Sequence, residues 1–339
     1  MLMKQYIEKC FEGNSLTVDE AASALELIMN GQASEAQIAG LLVAMRAKGE
    51  TVEELVGFAR TMRQKSVKVT VEDPDAIDMC GTGGDGLGTF NISTVSALVA
   101  AGAGVTVAKH GNRSVTSRSG SADLLKALGV DVSLPPEMAG ECIRRVGIGF
   151  LFAPLFHPAM KHAAKPRQEL GIRTIFNMVG PITNPAGVQK QLLGAYSRPV
   201  SELLAGALRE LESDRAAVVH SDDGMDEIAL SGETRVFEVN GSKPTRSYAV
   251  GPQHFGLEPR PLSSLQGGDA EQNAGIAMKI LQGERSPSRD VVVANAAFGI
   301  YISGKASELK DASLLASESI DSGRALRVLN NLIAFTGKQ

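Results

Sequence analysis

Residues 76–113 read AIDMCGTGGDGLGTFNISTVSALVAAGAGVTVAKHGNR and decide the fold. A short apolar run at 76–79 predicts a strand, and a loop with five glycines follows it. The sequence then predicts a helix through 95–101 and a second strand over 105–108, which leads into the basic run 109–113. Glycines let backbone N–H groups approach an anion, and the start of a helix presents unpaired donors at the positive end of its dipole. The pattern therefore predicts an α/β protein with a polyphosphate site beyond the carboxyl ends of its strands.

The rest of the chain from about residue 74 continues this alternation. Apolar runs predict strands at 76–80, 104–109, 149–153, 190–196 and 215–220. Helices are predicted near 93–101, 120–128, 137–146 and 199–211, and again at 270–283, 289–303, 305–318 and 321–337. Residues 234–240 alternate β-forming side chains, which favours an antiparallel strand or hairpin. We therefore expect a mostly parallel central sheet with flanking helices.

The N-terminal region contains helix signals only. A Ser or Thr followed three residues later by Glu or Gln, the pattern of a helix capping box, occurs at positions 17 and 20, 34 and 37, and 51 and 54. We expect residues 1–70 to form a small all-α domain, joined by short helices from about 155–187, where prolines punctuate the chain. Residues 74–339 are expected to form a larger α/β domain that carries the ligand site.

The composition narrows the class of protein. The 339 residues include 34 Lys and Arg against 38 Asp and Glu, a net charge of -4, which argues against a nucleic-acid-binding surface. The three cysteines form no CxxC pair and no disulfide framework, which favours a cytoplasmic protein. The charged N-terminus does not read as a signal peptide, and no apolar run approaches the length of a membrane span.

Two segments are candidates for phosphate binding. The glycine loop at 81–85 leads to hydroxyl and amide side chains at a helix start, although a tight turn without a ligand is the alternative. The basic run 109–113 is followed by several Ser and Thr residues, and a solvated basic loop is the alternative there. His110 within it could act as a base, donate a hydrogen bond or stack.

Two further segments suggest a metal and a carboxylate. The acidic run 221–227 follows a predicted strand and offers hard oxygen ligands suited to Mg²⁺ held partly by substrate phosphates; an acidic surface turn is the alternative. Arg167 precedes a Gly-Pro turn and could hold a carboxylate through a bidentate pair, a plain surface arginine being the alternative.

Together these segments resemble one enzyme family. GTGGDGxxTFNIST, KHGNRSV followed by SGSAD, HPAM with GIRTIFNxxGPxTNPA, and DE after a strand occur in the order typical of anthranilate phosphoribosyltransferases. Arg118 stands where that family usually has Lys, and Lys165-Pro166-Arg167 stands where Pro-Val-Arg is common; the charge and the arginine are kept. Pyrimidine nucleoside phosphorylases and a non-enzymatic, nucleic-acid-binding relative of the same fold are the rival interpretations.

The resemblance implies a reaction, a cofactor and an assembly. The phosphoribosyl group of 5-phosphoribosyl 1-diphosphate (PRPP) would pass to the amino nitrogen of anthranilate in tryptophan biosynthesis, with two Mg²⁺ ions per active site. The resemblance also implies a homodimer formed through the helical domain. No residue is expected to act as a catalytic acid or base, because an aryl amine already carries a free lone pair.

The resemblance also implies a set of site residues. The expected metal ligands are Ser93, Asp226 and Glu227. Anthranilate contacts are expected at Gly81, Asn112 and Arg167, with His157 and Gly180 as further candidates. PRPP contacts are expected at Gly81, Gly84, Asp85, Thr89, Asn91, Ile92, Ser93, Thr94, Lys109, His110, Gly111, Asn112, Arg113, Ser114, Val115, Thr116, Ser117 and Ser121.

Overall fold

The N-terminal part of the chain is helical, as predicted. A computed structural model describes residues 3–113 and 118–337, and its first elements are α1 (Met3–Phe11), α2 (Val18–Met29), α3 (Glu35–Lys48) and α4 (Val52–Lys65). All three predicted capping boxes are confirmed: Thr17, Ser34 and Thr51 each accept from the third residue of the helix they begin. Each box satisfies two backbone donors that the helix start would otherwise leave unpaired.

A seven-stranded sheet forms the centre of the larger part. Its strands are β1 (Ile77–Gly81), β2 (Val107–Gly111), β3 (Ile148–Phe152), β4 (Lys190–Gly194), β5 (Arg215–Ser221), β6 (Thr234–Asn240) and β7 (Arg246–Val250). The order is β3-β2-β1-β4-β5-β6-β7, parallel from β3 to β5 and antiparallel for the last two. The chain order reverses between β1 and β4, and ligands of open α/β sheets bind in the crevice at that point.

Helices cover both faces of the sheet. They are α5 (Ile92–Gly102), α6 (Ser121–Ala127), α7 (Pro136–Val146), α8 (Ala153–Phe156), α9 (Lys161–Leu170), α10 (Ile175–Val179), α11 (Arg198–Glu210), α12 (Ala270–Leu281), α13 (Pro287–Ser303), α14 (Leu309–Asp321) and α15 (Arg324–Thr336). The buried apolar residues of α5, α13, α14 and α15 share one core with β1, β2 and β3. Helix α11 packs on the opposite face, over β5 and β6, and contacts α4 of the N-terminal part. The predicted fold class is confirmed.

The segment between β3 and β4 returns to the N-terminal helices. Helix α9 packs on α2 and α3, and α10 packs on α3 and α4. The rings of Phe58 and Phe176 lie 5.7 Å apart, and Ala163 and Ile175 are fully buried in the same cluster. The chain therefore leaves the sheet after β3, adds helices to the N-terminal bundle and comes back as β4.

Some predicted boundaries were wrong. Strand β2 was predicted over 104–109 but runs from Val107 to Gly111, because helix α5 continues to Gly102 and a turn follows it. Lys109 and His110 therefore lie within a strand and not in a loop beyond it. Helices α14 and α15 begin four and three residues later than the predicted 305 and 321. Strand β7 was not predicted separately; as a largely exposed edge strand it lacks a regular apolar pattern.

None of the helices within 3–113 and 118–337 combines the length and the apolar character needed to cross a membrane.

Candidate active site

The acidic loop after β5 lies directly against the glycine loop after β1. Oδ2 of Asp226 accepts a hydrogen bond of 2.8 Å from the backbone N–H of Gly83. Oε1 of Glu227 accepts one of 3.0 Å from the backbone N–H of Ser93, in the first turn of α5. The bonded residues are 143 and 134 positions apart in the sequence, respectively, yet they meet at the carboxyl ends of β1 and β5. The predicted metal ligands and the predicted phosphate loop form one site.

Two glycines make this approach possible. A Cβ atom on Gly81 would lie 2.7 Å from Oδ2 of Asp226, closer than such atoms come in folded proteins. A Cβ atom on Gly194, at the end of β4, would overlap the carbonyl oxygen of Asp226. Gly81 was predicted as a ligand contact, and the structure gives it this packing role as well. Gly194 was not singled out from the sequence, although a glycine that ends a buried strand indicates close backbone approach.

The electrostatics of the acidic pair favour a cation. Burial, and after it the charge of Asp85, raise the pKa of Asp226 to about 7. Burial also raises the pKa of Glu227 well above its ordinary value, with the charge of Asp226 as the next cause. Oδ2 of Asp85 is itself buried, and the Asp85 carboxylate lies close enough to Asp226 to raise the pKa of that group. A positive ion at this point would offset both the burial and the mutual repulsion.

The start of α5 is held by an amide network. Asn91 donates to the carbonyl oxygen of Ser119 at 3.0 Å and accepts from the Nδ2 atom of Asn273 at 3.0 Å. The Ser119 hydroxyl donates to Asn91 at 3.2 Å. Asn91 therefore ties the end of the glycine loop to the segment before α6, where Ser121 lies at the helix start.

Two side chains in the first turn of α5 face the core. Ile92 and Thr94 are each 1% exposed, and the Thr94 hydroxyl has no partner among the described residues. Their predicted contribution to PRPP binding could come only through the backbone in this arrangement. Thr89, Gly84 and Asp85 lie half-buried on the loop.

Strand β2 presents buried polar side chains. Lys109 is 1% exposed, and its amine donates to the carbonyl oxygen of Met79 on β1. Burial lowers the pKa of this amine, while the charge of Asp78 raises it and that of Glu227 does so to a smaller extent. Lys109 therefore lies beneath the acidic loop and is not a mobile cation at its rim.

The two histidines of the site are neutral at pH 7. The ring centroids of His110 and His157 lie 5.3 Å apart. Burial, and to a smaller extent the neighbouring His157 and Lys109, lower the pKa of His110 to about 3. Burial lowers the pKa of His157 to about 4. Neither imidazole is poised near neutral pH for proton transfer.

The end of β2 is open to solvent. Asn112 and Arg113 are exposed, and the Arg113 guanidinium carbon lies 5.6 Å from the centre of the Phe152 ring. Gly111 before them is half-buried. The predicted contacts at Ser114, Val115, Thr116 and Ser117 lie outside the described residues.

Arg167 lies on α9 beside the N-terminal bundle. Its guanidinium carbon is 5.0 Å from the centre of the Phe176 ring. Burial alone lowers its pKa, so no described carboxylate is close enough to influence it. A half-buried arginine without an acidic partner is available for a carboxylate ligand.

The segment that contains Gly180 is tied to the sheet by Asn184 and Asp78, two residues outside the predicted site. Nδ2 of Asn184 donates at 2.8 Å both to Oδ2 of Asp78 on β1 and to the carbonyl oxygen of Ala108 on β2. Oδ1 of Asp78 accepts from the backbone N–H of His110 at 3.1 Å. The signal in the sequence was an aspartate in the middle of an apolar strand.

Known proteins resemble this chain over nearly its full length. Residues 73–326 match the family model "Glycosyl transferase family, a/b domain", and residues 4–66 match "Glycosyl transferase family, helical bundle domain". The anthranilate phosphoribosyltransferase of Pelotomaculum thermopropionicum is 54% identical over 99% of this chain and 97% of its own. The chain belongs to the anthranilate phosphoribosyltransferase family.

Two solved structures extend the likeness to the fold. The anthranilate phosphoribosyltransferase of Thermus thermophilus aligns with a TM-score of 0.92 at 45% identity, covering 98% of this chain and 99% of its own. That of Saccharomyces cerevisiae, solved in complex with PRPP and Mg, aligns with a TM-score of 0.92 at 30% identity, covering 99% and 98%. The resemblance drawn from the four motifs is confirmed, and the two rival interpretations are not favoured.

Asp226→Asn should stabilise the ligand-free protein at alkaline pH. Because the folded-state pKa of Asp226 is raised from 3.8 to about 7, its contribution to stability is lost as pH rises through that interval. The variant cannot ionise there, so we expect its melting temperature to exceed that of the parent at pH 8. The difference should shrink towards zero near pH 4.

Calorimetry in the presence of a chelator measures this effect. The exposed neighbour Asp222, changed to Asn, is the matched control and should leave the pH dependence unchanged. An Asp226→Asn melting temperature at or below that of the parent at pH 8 would contradict the electrostatic account.

Proposed function

We propose that this protein transfers the phosphoribosyl group of PRPP to the amino nitrogen of anthranilate, releasing pyrophosphate, in tryptophan biosynthesis. The observation that carries the proposal is the meeting of Asp226 and Glu227 with the backbone N–H groups of Gly83 and Ser93 at the point where the sheet order reverses. Hydrogen-bond donors and hard oxygen ligands stand together there, as a metal-bound diphosphate requires. Family membership supports anthranilate as the acceptor.

The acidic pair fits Mg²⁺. Its carboxylates are oxygen ligands whose charged forms are disfavoured until a cation arrives. Ser93, whose backbone N–H contacts Glu227, would add its hydroxyl as a ligand. No cluster of three or more His, Cys, Asp or Glu side chains that could hold a metal occurs within 3–113 and 118–337, so substrate phosphates would complete the coordination. When bound, Mg²⁺ neutralises charge on the diphosphate. Two ions per site are part of the proposal, and a Mn²⁺ binding titration counts them.

The chemistry needs positioning more than proton transfer. The C1–oxygen bond of PRPP breaks and pyrophosphate leaves with the electron pair, while the amine lone pair forms the new C–N bond and a proton is lost to solvent. The site residues inferred from the resemblance would hold the phosphates around the glycine loop, the start of α5 and the end of β2. Arg167 would hold the anthranilate carboxylate. Neutral His110 and His157 can contact uncharged ring atoms without competing for the proton.

The proposed assembly is a cytoplasmic homodimer that is joined through the N-terminal helices. These helices and the 155–187 segment form one domain, and the α/β part forms the other. Helix α3 buries Leu41 and Leu42 inside the bundle, yet on its outer side Ala36, Val43 and Ala47 are exposed. A helix that is apolar on both sides is typical of an interface. Helix α1, which packs against α3, carries a second exposed apolar side chain, Phe11, at 84% exposure.

The test of the function is the loss of anthranilate fluorescence when the protein, PRPP and Mg²⁺ are mixed. Loss that requires all three components, with equimolar release of pyrophosphate, is the expected result. A folded protein that binds PRPP but leaves anthranilate unchanged would exclude anthranilate as the acceptor.

Arg167→Ala should raise the KM for anthranilate while leaving the KM for PRPP nearly unchanged. A lost charge-assisted hydrogen bond costs about 1.5–3 kcal/mol, which corresponds to a 10- to 100-fold increase. Steady-state kinetics on both substrates measures the change. Arg198→Ala, which removes an exposed arginine whose partner is Glu202, is the control. Equal increases for both substrates would remove Arg167 from the acceptor site.

Val43→Asp should convert the dimer to a monomer. Val43 is 43% exposed at the centre of the α3 surface, and a buried charge there would lack a partner. Size-exclusion chromatography with light scattering measures the mass. Leu314→Asp, at a 65% exposed position on α14, is the control and should stay dimeric. A Val43→Asp protein with the mass of the parent would place the interface elsewhere.

A further inference from the structure

One buried side chain of α13 holds the backbone of the acidic loop. Oδ1 of Asn295 accepts from the N–H of Ile228 at 2.9 Å, and its Nδ2 donates to the carbonyl oxygen of the same residue at 3.0 Å. Nδ2 also donates to the carbonyl oxygen of Val291 one turn earlier, at 2.9 Å. Asn295 is fully buried, and Ile228 directly follows Glu227. Both backbone groups next to the metal-binding pair are thus satisfied by a single amide.

The other supports of the loop come from the sheet. The hydroxyl of Ser221 on β5 accepts from the N–H of Met225 at 2.9 Å, and that of Thr234 on β6 accepts from the N–H of Ala229 at 2.9 Å. These bonds fix the two ends of the loop relative to β5 and β6. Asn295 fixes the middle of the loop relative to α13, so the helical layer, and not the sheet, positions this part of the loop.

Helix α13 also supports the opposite side of the site. It packs along α5, whose first turn provides the N–H of Ser93 to Glu227. The hydroxyl of Ser96 on α5 donates to the carbonyl oxygen of Val292 on α13 at 3.3 Å. The start of α5 and the acidic loop, which must face each other across a bound metal, therefore both rest on α13.

We propose that Asn295 is a positioning residue that sets the distance between Glu227 and the first turn of α5, and thereby the affinity of the site for metal-bound PRPP. The proposal rests on the function given above. Asn295 does not touch the reacting atoms. Its loss would leave the N–H and carbonyl of Ile228 buried without partners, and the loop would shift to satisfy them.

The shift of the loop would weaken the binding of the metal and leave the binding of the acceptor unchanged. A misplacement of about 1 Å in a catalytic array costs up to about 100-fold in rate. The segment that contains Gly180, a candidate contact of the acceptor, is anchored separately, through Asn184 and Asp78 to β1 and β2. The effect of Asn295 should therefore be confined to Mg²⁺ and PRPP.

The decisive variant is Asn295→Leu, which keeps the number of side-chain heavy atoms and the branch at Cγ and removes the hydrogen bonds. We expect the Mg²⁺ concentration for half-maximal activity and the KM for PRPP to rise by about 10-fold or more, the effect of a net loss of about one buried hydrogen bond. The KM for anthranilate should stay unchanged. Asn295→Ser retains a smaller hydrogen-bonding group, so its Mg²⁺ requirement and its KM for PRPP should lie between those of the parent and of Asn295→Leu. It replaces the leucine variant if that variant does not fold.

A matched control lies on the same helix. Arg289 is 1% exposed on α13 and pairs with Asp321 at 2.8 Å. Arg289→Met should lower the melting temperature without moving the Mg²⁺ dependence. Equal Mg²⁺ effects in both helix variants, or an unchanged Mg²⁺ dependence in folded Asn295→Leu or Asn295→Ser, would overturn the proposal.

A binding measurement separates this proposal from the proposed function. The rise in melting temperature caused by Mn²⁺ with PRPP needs no acceptor, and we expect it to be smaller in the Asn295 variants than in the parent. A parent protein that shows this rise but does not consume anthranilate would contradict the acceptor while leaving the role of Asn295 testable. The same rise in parent and Asn295→Leu would contradict the positioning role.

Discussion

The candidate site depends on two half-buried carboxylates that, among the described residues, have no positive side chain at hydrogen-bonding distance. Asp226 and Glu227 take one backbone N–H each from the glycine loop and the start of α5, and burial opposes the ionisation of both. An arrangement of this kind is unfavourable for the empty protein and favourable once a cation arrives. The surrounding glycines, the sheet order and the supporting amide of Asn295 are needed to keep the pair in that position.

The two proposed substrates would be held by different parts of the molecule. The glycine loop, the acidic loop and α5 belong to the sheet and its α13 layer, whereas Arg167 belongs to the helices added to the N-terminal bundle. Asp78 connects the two parts, because it accepts from Asn184 of the segment between α10 and β4 and from the backbone of His110 on β2. A single fully buried carboxylate thus fixes both parts relative to β1.

Much of this arrangement could be predicted from local sequence signals. The helix caps and the parallel strands each follow from a few adjacent residues, and their predictions were confirmed. Lys109 was predicted near a loop because a strand boundary depends on where the preceding helix ends, which the pattern at 102–106 does not show. Asn184, Gly194 and Asn295 act through partners between 32 and 106 residues away, and no local pattern identifies such partners.

The return of the chain to the N-terminal bundle between β3 and β4 limits how this protein could be divided. Helices α9 and α10 pack on α2, α3 and α4, so a gene split near residue 70 would separate surfaces that one apolar core joins. The larger piece would expose Ala163, Ile175 and Phe176 to water, and the smaller piece would lose the ring that packs on Phe58. Recombination that exchanges the N-terminal helical bundle between relatives must therefore transfer residues 153–187 together with it.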